Sequence, residues 1–424
     1  MSTSIDAKYV PAAPNRPEAG PPPLAPDFAE WLIKQALRLS AVGANDEALD
    51  RLLGNICHQL ADHGLGLFRV VIGVRALHPQ LFGRQTIWQR GCDCVTTINR
   101  EHAIESSPAY LNSPARHVRE GRGALRRRLE GPNAQIDYPV LDELRAEGAT
   151  DYIILPMTED FARPSYVSFA SDRPGGFSAA EIDTLKRLVP SLAVITELFA
   201  ARRMAGDLLA VYLGRDAAKR VLDGEIRRGT GKLIHAVLWH CDLRGFTTLA
   251  DVMPPDQLIG LLDGYFEAMA RPVGDHGGEV LKFIGDAILA IFRFDDGGEI
   301  AAAGRALAAA NEALANLARL NDERSRAGQK PIATKIALHT GEMMYGNVGA
   351  ADRLDFTVIG PAVNTVARVQ TMCTELDEPL LASRDFARLV PSHLVSRGLH
   401  RLRGLAEPTE LFALDGRSAP HVRS

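Results

Sequence analysis

The chain has 424 residues, so at roughly 150 residues per domain it has room for two or three units, each with its own core. Forty-eight Lys and Arg against 52 Asp and Glu leave a formal net charge of −4. That balance removes the strongest reason to expect nonspecific binding to nucleic acid or to an anionic membrane surface. The 46% hydrophobic content is that of an ordinary globular protein. Five cysteines (Cys57, Cys92, Cys94, Cys241 and Cys373) are too few for a disulfide framework at this length and read as thiols. Cys92 and Cys94 form a C-x-C, but no second Cys/His pair lies at finger-like spacing, so two thiols in or beside a strand is the simpler reading. The start lacks a basic-then-apolar leader, and the Ala-rich stretch around 301–320 is interrupted by Arg305, Glu312 and Arg319. The expectation is a cytoplasmic protein with no membrane span and no nucleic-acid partner.

In chain order, residues 1–26 hold seven prolines and few apolar side chains, which predicts a disordered tail. A first unit over 27–197 opens with helical patterns at Trp31–Leu39 and Asp46–His63. A strand at Leu67–Leu77 and mixed strand signals at Thr86–Thr97 follow. A helix is expected over Pro114–Leu129, with Arg126-Arg-Arg128 on its solvated face, and a buried strand over Tyr152–Met157. Pro174-Gly-Gly176 marks a turn, and Ser178 with Glu181 has capping-box spacing. Leu185, Leu188, Leu192, Ile195 and Phe199 then recur at steps of three and four. Such a stripe fits either a helix facing its own core or a two-chain coiled coil, so 180–230 is read as a helical connector and dimerisation segment.

From about Gly231 the elements alternate clearly. A strand at Ala236–Asp242 precedes an amphipathic helix at Asp256–Pro272. Strands at Glu279–Ile284 and Ala287–Phe292 are split by the two-residue turn Gly285-Asp286. A long helix over about 299–326, strands at Ile332–His339 and Asp355–Ile359, and a helix opened by Pro361 complete the set. This order is that of an α/β (α+β) split βαβ, ferredoxin-like sheet with helices on one face.

Two carboxylates occupy special places in that order. Asp242 ends the first strand, and Asp286 lies at the tip of the adjacent hairpin, so the fold can bring them together. Paired carboxylates with nearby carbonyls suit a hard divalent ion such as Mg²⁺ or Mn²⁺. Lys282 in the apolar run Val280–Ile284 needs a partner or a ligand, unless it snorkels from a sheet edge. Asn364 and Arg368 are an i, i+4 pair on one helix face, where the arginine can pair with a phosphate or with a neighbouring acid.

Four segments carry a resemblance: Cys241-Asp-Leu-Arg-Gly-Phe-Thr247, His276-Gly-Gly-Glu-Val-Leu-Lys-Phe-Ile-Gly-Asp286, Ala337-Leu-His-Thr-Gly-Glu342 and Phe356-Thr-Val-Ile-Gly-Pro-Ala-Val-Asn-Thr-Val-Ala-Arg368. In order and spacing, residues 231–416 resemble the class III nucleotidyl cyclase catalytic domain. The resemblance implies two Mg²⁺ or Mn²⁺ ions on Asp242, Asp286 and the Leu243 carbonyl, and contacts to the base from Lys282 and Thr357. It further implies that Asn364 orients the ribose, that Arg368 stabilises the reacting phosphate, and that Arg403 binds the terminal phosphates. The site would be shared across a homodimer. Threonine at 357 resembles the threonine-bearing, class IIIb-like subgroup, and a donor-only Lys282 matches adenine N1, an acceptor, better than guanine N1–H. The expected activity is conversion of ATP to 3′,5′-cyclic AMP and pyrophosphate. A guanylate cyclase and a silent nucleotide-binding scaffold are the alternatives. Glu342 departs from the family where some members carry a phosphate-binding arginine, and Pro361 departs where an acid is frequent. Residues 44–197 resemble a GAF-type sensor domain, for which His78-Pro79, Trp88 and Cys92/Cys94 are the candidate lining of a pocket for haem or an unknown small-molecule effector.

Overall fold

The computed structural model describes residues 7–11, 28–42, 46–75, 81–92, 94–157, 165–294, 297–405 and 407–415. The chain divides into two compact units, Met1–Leu208 and Leu209–Ser424.

The first unit runs β1 (Ala7–Pro11), α1 (Phe28–Val42), α2 (Asp46–Asp62), β2 (Arg69–Arg75), β3 (Leu81–Gln89) and β4 (Cys94–Glu101). After a 3₁₀ turn come α3 (Pro108–Leu111), α4 (Pro114–Arg119), β5 (Leu125–Arg128), α5 (Pro139–Ala146), β6 (Asp151–Pro156), β7 (Tyr166–Ser171) and α6 (Ala179–Leu213). The strands form one antiparallel sheet in the order β1-β4-β3-β2-β7-β6-β5. Strand alternation divides its side chains between two cores. Val70, Ile72, Trp88, Val167 and Phe169 pack with α1, α2 and α6, while Tyr152, Ile154, Tyr166 and Ala170 pack with α4 and α5.

Three expectations change here. Residues 7–11 of the supposed tail form a strand, because Tyr9 and Val10 are β-prone and β4 offers an open edge. The helix expected over 114–129 stops at Arg119, since Gly121 and Gly123 adopt left-handed φ angles of 74° and 80°. Arg126–Arg128 are then strand residues, with Arg126 Nη2 2.6 Å from Asp151 and Arg127 Nη2 2.7 Å from Asp137. The leucine stripe from Leu185 to Phe199 is buried in the unit's own core, which is the core-facing of its two readings. The capping box forms as expected: Ser178 N–H donates to Glu181, and Glu181 N–H to Ser178 Oγ.

The second unit runs α7 (Arg215–Leu222), β8 (Gly231–Leu243), α8 (Phe246–Val252), α9 (Pro255–Asp275), β9 (Glu279–Ile284), β10 (Ala287–Arg293) and α10 (Gly298–Arg326). Then come β11 (Thr334–Gly349), β12 (Leu354–Ile359), α11 (Pro361–Glu375), β13 (Leu380–Ser383), α12 (Arg384–Ala387), β14 (Leu394–His400) and β15 (Thr409–Leu414). The sheet order is β14-β15-β13-β11-β8-β10-β9, with β12 paired to the far half of β11. Helices cover both faces rather than one. Val237, Trp239, Cys241 and Leu243 of the central β8 pack toward α9 and α10, whereas Ala236 and Leu238 pack toward α11. The unbroken apolar run Ala236–Trp239 is the sequence mark of a strand buried on two sides. Gly278, just before β9, has no room for a side chain, since a Cβ would lie 2.6 Å from the Phe292 ring.

Candidate active site

Asp242 is the penultimate residue of β8, and its neighbours fix it from below. Tyr265 Oη and Thr334 Oγ1 are 2.9 Å apart and buried, and Thr334 Oγ1 donates to the Asp242 carbonyl at 3.2 Å. The turn that follows is tied to α11, with Arg244 Nη1 2.7 Å from Asp377 and Nη2 donating to the Cys373 carbonyl. Asp286 arrives from the neighbouring hairpin. Gly285 takes the left-handed φ of 63° that this turn requires, and Ile288 pairs with Cys241. Continuing that antiparallel register by two residues sets Asp286 beside Leu243.

The two carboxylates therefore converge. Burial, followed by the adjacent Asp242 charge, pushes the Asp286 carboxyl above its ordinary value, while the Leu243 backbone N–H partly offsets this by donating to it. Lys335, directly across β11 from Asp242, places its Nζ 3.3 Å from Asp242 Oδ1. This donor set fits a hard divalent cation: two carboxylates held together at the end of rigid strands, with one lysine to compensate among the described residues.

A second group lies on β9 and β12. Lys282 Nζ donates to Asp355 Oδ2 at 2.5 Å, so the lysine in the apolar strand has its counter-charge within the chain. Thr357 is two residues beyond Asp355 and therefore on the same strand face. Its Oγ1 is buried with no hydrogen-bond partner, and the residue is only 5% exposed. A buried hydroxyl without a partner is uncommon in folded chains and marks a place for an external one.

A third group is on α11 and the turn before β15. Asn364 is exposed and Arg368 half-buried, one helical turn apart. The Arg368 guanidinium packs against Gly404, where a Cβ would lie 3.3 Å from Nη2 and where φ is 77°. Leu402, buried in the α11 core, anchors that turn and leaves Arg403 exposed beside it. Among the described residues neither Arg368 nor Arg403 has an acid partner, which leaves both free to meet an anion.

The structure thus brings Asp242, Leu243 and Asp286 together, joins Lys282 to the Thr357 strand, and clusters Arg368 with Arg403. Among the described residues no hydrogen bond or ion pair connects the three groups. Glu342 is exposed and lines a groove with Thr340, Ile359 and Thr365. Sequence reasoning missed Lys335 and Asp355. Each was visible as a lone charge in an apolar strand, two residues from a buried position on the same face.

Residues 235–380 match the family described as the Adenylate and Guanylate cyclase catalytic domain. This part of the chain is a class III nucleotidyl cyclase catalytic domain. Relatives include the "Adenylate cyclase" of Anabaena cylindrica, 33% identical over 167 residues (38% of this chain, 32% of that protein). Another is "Adenylate cyclase 1" of Rhizobium meliloti, 30% identical over 199 residues (45% and 29%). Among solved structures, the adenylyl cyclase CyaB from P. aeruginosa is 24% identical at a TM-score of 0.39, covering 44% of this chain and 96% of that one. The matched region spans about a third of the length of the curated relatives. Among the described residues no helix is long and apolar enough to cross a membrane.

Proposed function

We propose that the chain is an adenylate cyclase converting ATP to 3′,5′-cyclic AMP and pyrophosphate at sites shared between two copies. The observation that carries this reading is the Asp242–Asp286 pair, two carboxylates held together against their mutual repulsion at the end of the central strands. Bound there, divalent ions would supply charge for the triphosphate and acidify the ribose 3′-hydroxyl. Asp242 and Asp286 would hold them with the Leu243 carbonyl. Lys282 would donate to adenine N1, and the partnerless Thr357 hydroxyl would accept from the 6-amino group. Asn364 would orient the ribose, while Arg368 and Arg403 would bind phosphate oxygens, which their lack of acid partners supports. Among the described residues the three groups are not bonded to one another, and in this reading a second copy would complete the site. Residues 27–197 would form the regulatory module, and 180–230 the helical connector that follows it.

One observation favours the guanylate alternative. Asp355, beside Lys282, is an acceptor that guanine N1–H and its 2-amino group could use. The test is product identification with Mn²⁺ and either ATP or GTP, for wild type, Asp286→Ala and Lys282→Glu. Cyclic AMP from wild type, its loss in Asp286→Ala and a shift toward GTP in Lys282→Glu are expected. Equal cyclic AMP production by Asp286→Ala would remove the metal assignment, and no cyclic product from either nucleotide would favour the scaffold.

A further inference from the structure

The first unit contains a two-lobed cavity. It lies between the sheet face bearing Val71, Gln85 and Tyr166 and the segment that includes α3, α4 and α5, with volumes of about 310 and 140 Å³ in the two lobes. The lobes share Gln85, Arg100 and Tyr166 as a common wall. None of the residues expected to line a pocket is here. Trp88 points to the opposite face, where its ring meets His58 edge-on, Cys92 is exposed on a turn, and His78, Pro79 and the Cys94 side chain fall outside the described residues.

Charge is the unusual feature of this cavity. Arg119, at the end of α4, is only 8% exposed, and its Nε has no hydrogen-bond partner. Its guanidinium carbon sits 4.7 Å from the centre of the Phe82 ring and 5.7 Å from that of Tyr166. Gly73 leaves the space that the Tyr166 ring occupies, since a Cβ there would be 2.3 Å from it. Among the described residues Arg119 has no acid partner. Arg100, in the shared wall, spends its Nε on the neutral Gln85 at 3.0 Å, and Gln85 in turn donates to Tyr166 Oη at 2.6 Å. Arg69 lines the larger lobe with a buried, partnerless Nε, and its one acid among the described residues, Glu147, is 3.9 Å away. Among the described residues the only acid lining either lobe is Glu143, which is exposed on α5. Arg84 also reaches the smaller lobe, but Asp50 neutralises it from the other side of the sheet.

A guanidinium taken out of water without a counter-ion is costly, and folded chains rarely leave one so. Arg119 lines the smaller lobe and Arg100 the shared wall, while Val71, Ile87 and Ile98 line the larger lobe. We infer that this cavity is a binding site for a small organic anion, its carboxylate or phosphate held by Arg119 and Arg100 and its apolar body lying on Val71, Ile87 and Ile98. Apolar lining with a few convergent polar groups is the usual make-up of a small-molecule pocket.

The test is calorimetric binding to the full-length chain, using anions paired with neutral analogues. Indole-3-acetate against indole-3-acetamide serves the carboxylate arm, and phenyl phosphate against phenol the phosphate arm. At least one anion should bind tenfold or more tightly than its neutral partner, and the arm that does so identifies the head group. Arg119→Met should weaken that binding tenfold or more while keeping the unliganded melting temperature and far-ultraviolet dichroism of the wild type. If that variant does not fold, Arg100→Met carries the same expectation. Equal binding of anion and neutral analogue in both arms, or wild-type affinity in a folded Arg119→Met, overturns the inference. Because no turnover is measured, the outcome is independent of the cyclase reading.

Discussion

Each unit sets acidic charge against its sheet, buried in the first and half-buried in the second, and the two do so on opposite principles. In the first, Asp50 on α2 is 2% exposed and fully engaged: Arg84 Nη2 lies at 2.7 Å, Thr97 Oγ1 at 2.8 Å and Thr86 Oγ1 at 3.3 Å. In the second, Asp242 and Asp286 face one another with Lys335 beside Asp242. The first arrangement is closed and holds α2 to the strands. The second is incomplete: like charges meet with little compensation, a donor set that a cation from outside would satisfy. Burial alone does not distinguish structure from function; the sign of the neighbouring charge does.

Four substitutions would break or sharpen this contrast. The largest effect belongs to Asp286→Asn, which should lower cyclase turnover on the order of a hundred- to a thousandfold, as removal of one electrostatic stabiliser typically does. The same variant should be at least as stable as wild type at neutral pH in chelator, and should lose the rise in melting temperature that Mn²⁺ gives wild type. The sign follows from the raised Asp286 carboxyl. The folded chain holds that proton more tightly than the unfolded chain, so its contribution is present at low pH and is lost as pH rises through the folded value. A melting curve with chelator at stepped pH checks this, and a wild-type profile no steeper than that of Asp286→Asn would refute it.

Asp50→Ala should act in the reverse way, with no effect of added cation and a loss of about 3–5 kcal/mol in the first unit, because Arg84 is left buried with fewer counter-charges. Urea unfolding followed by Trp88 fluorescence measures it. Gly278→Ala should cost about 1–3 kcal/mol by forcing Phe292 and Val273 apart. Its measured midpoint should fall even when turnover per folded molecule does not. Smallest is Ser178→Ala, about 1 kcal/mol from the lost cap of α6, read from the same urea titration.

The sequence was most legible where local rules govern. The β9 and β10 hairpin, the proline opening of α11 and the Ser178 capping box each depend on residues a few positions apart. Asp242 and Asp286 could be paired from the order of elements, since a split βαβ sheet sets the first strand beside the hairpin. The misreadings share a different cause. Residues 7–11 become a strand only because β4, almost ninety residues later, presents an edge. The second layer of helices over β8 depends on α11 returning to a face that the motif order does not describe. The partners Lys335 and Asp355 come from strands distant in sequence, so the individual charges were readable but their meetings were not.

The route by which Asp286 reaches Asp242 also bears on which changes the catalytic unit can tolerate. Both residues are placed by the backbone ladder between β8 and β10, in which Ile288 pairs with Cys241, rather than by the shapes of packed side chains. Exchanging one apolar residue for another in these strands would leave the pair in place. A single residue inserted between Asp286 and Ile288 would instead displace the carboxylate by roughly 3.3 Å and turn it to the other face of the sheet. The unit should therefore accept many point changes in its core yet be intolerant of any change in chain length at this hairpin, including insertions too small to prevent folding.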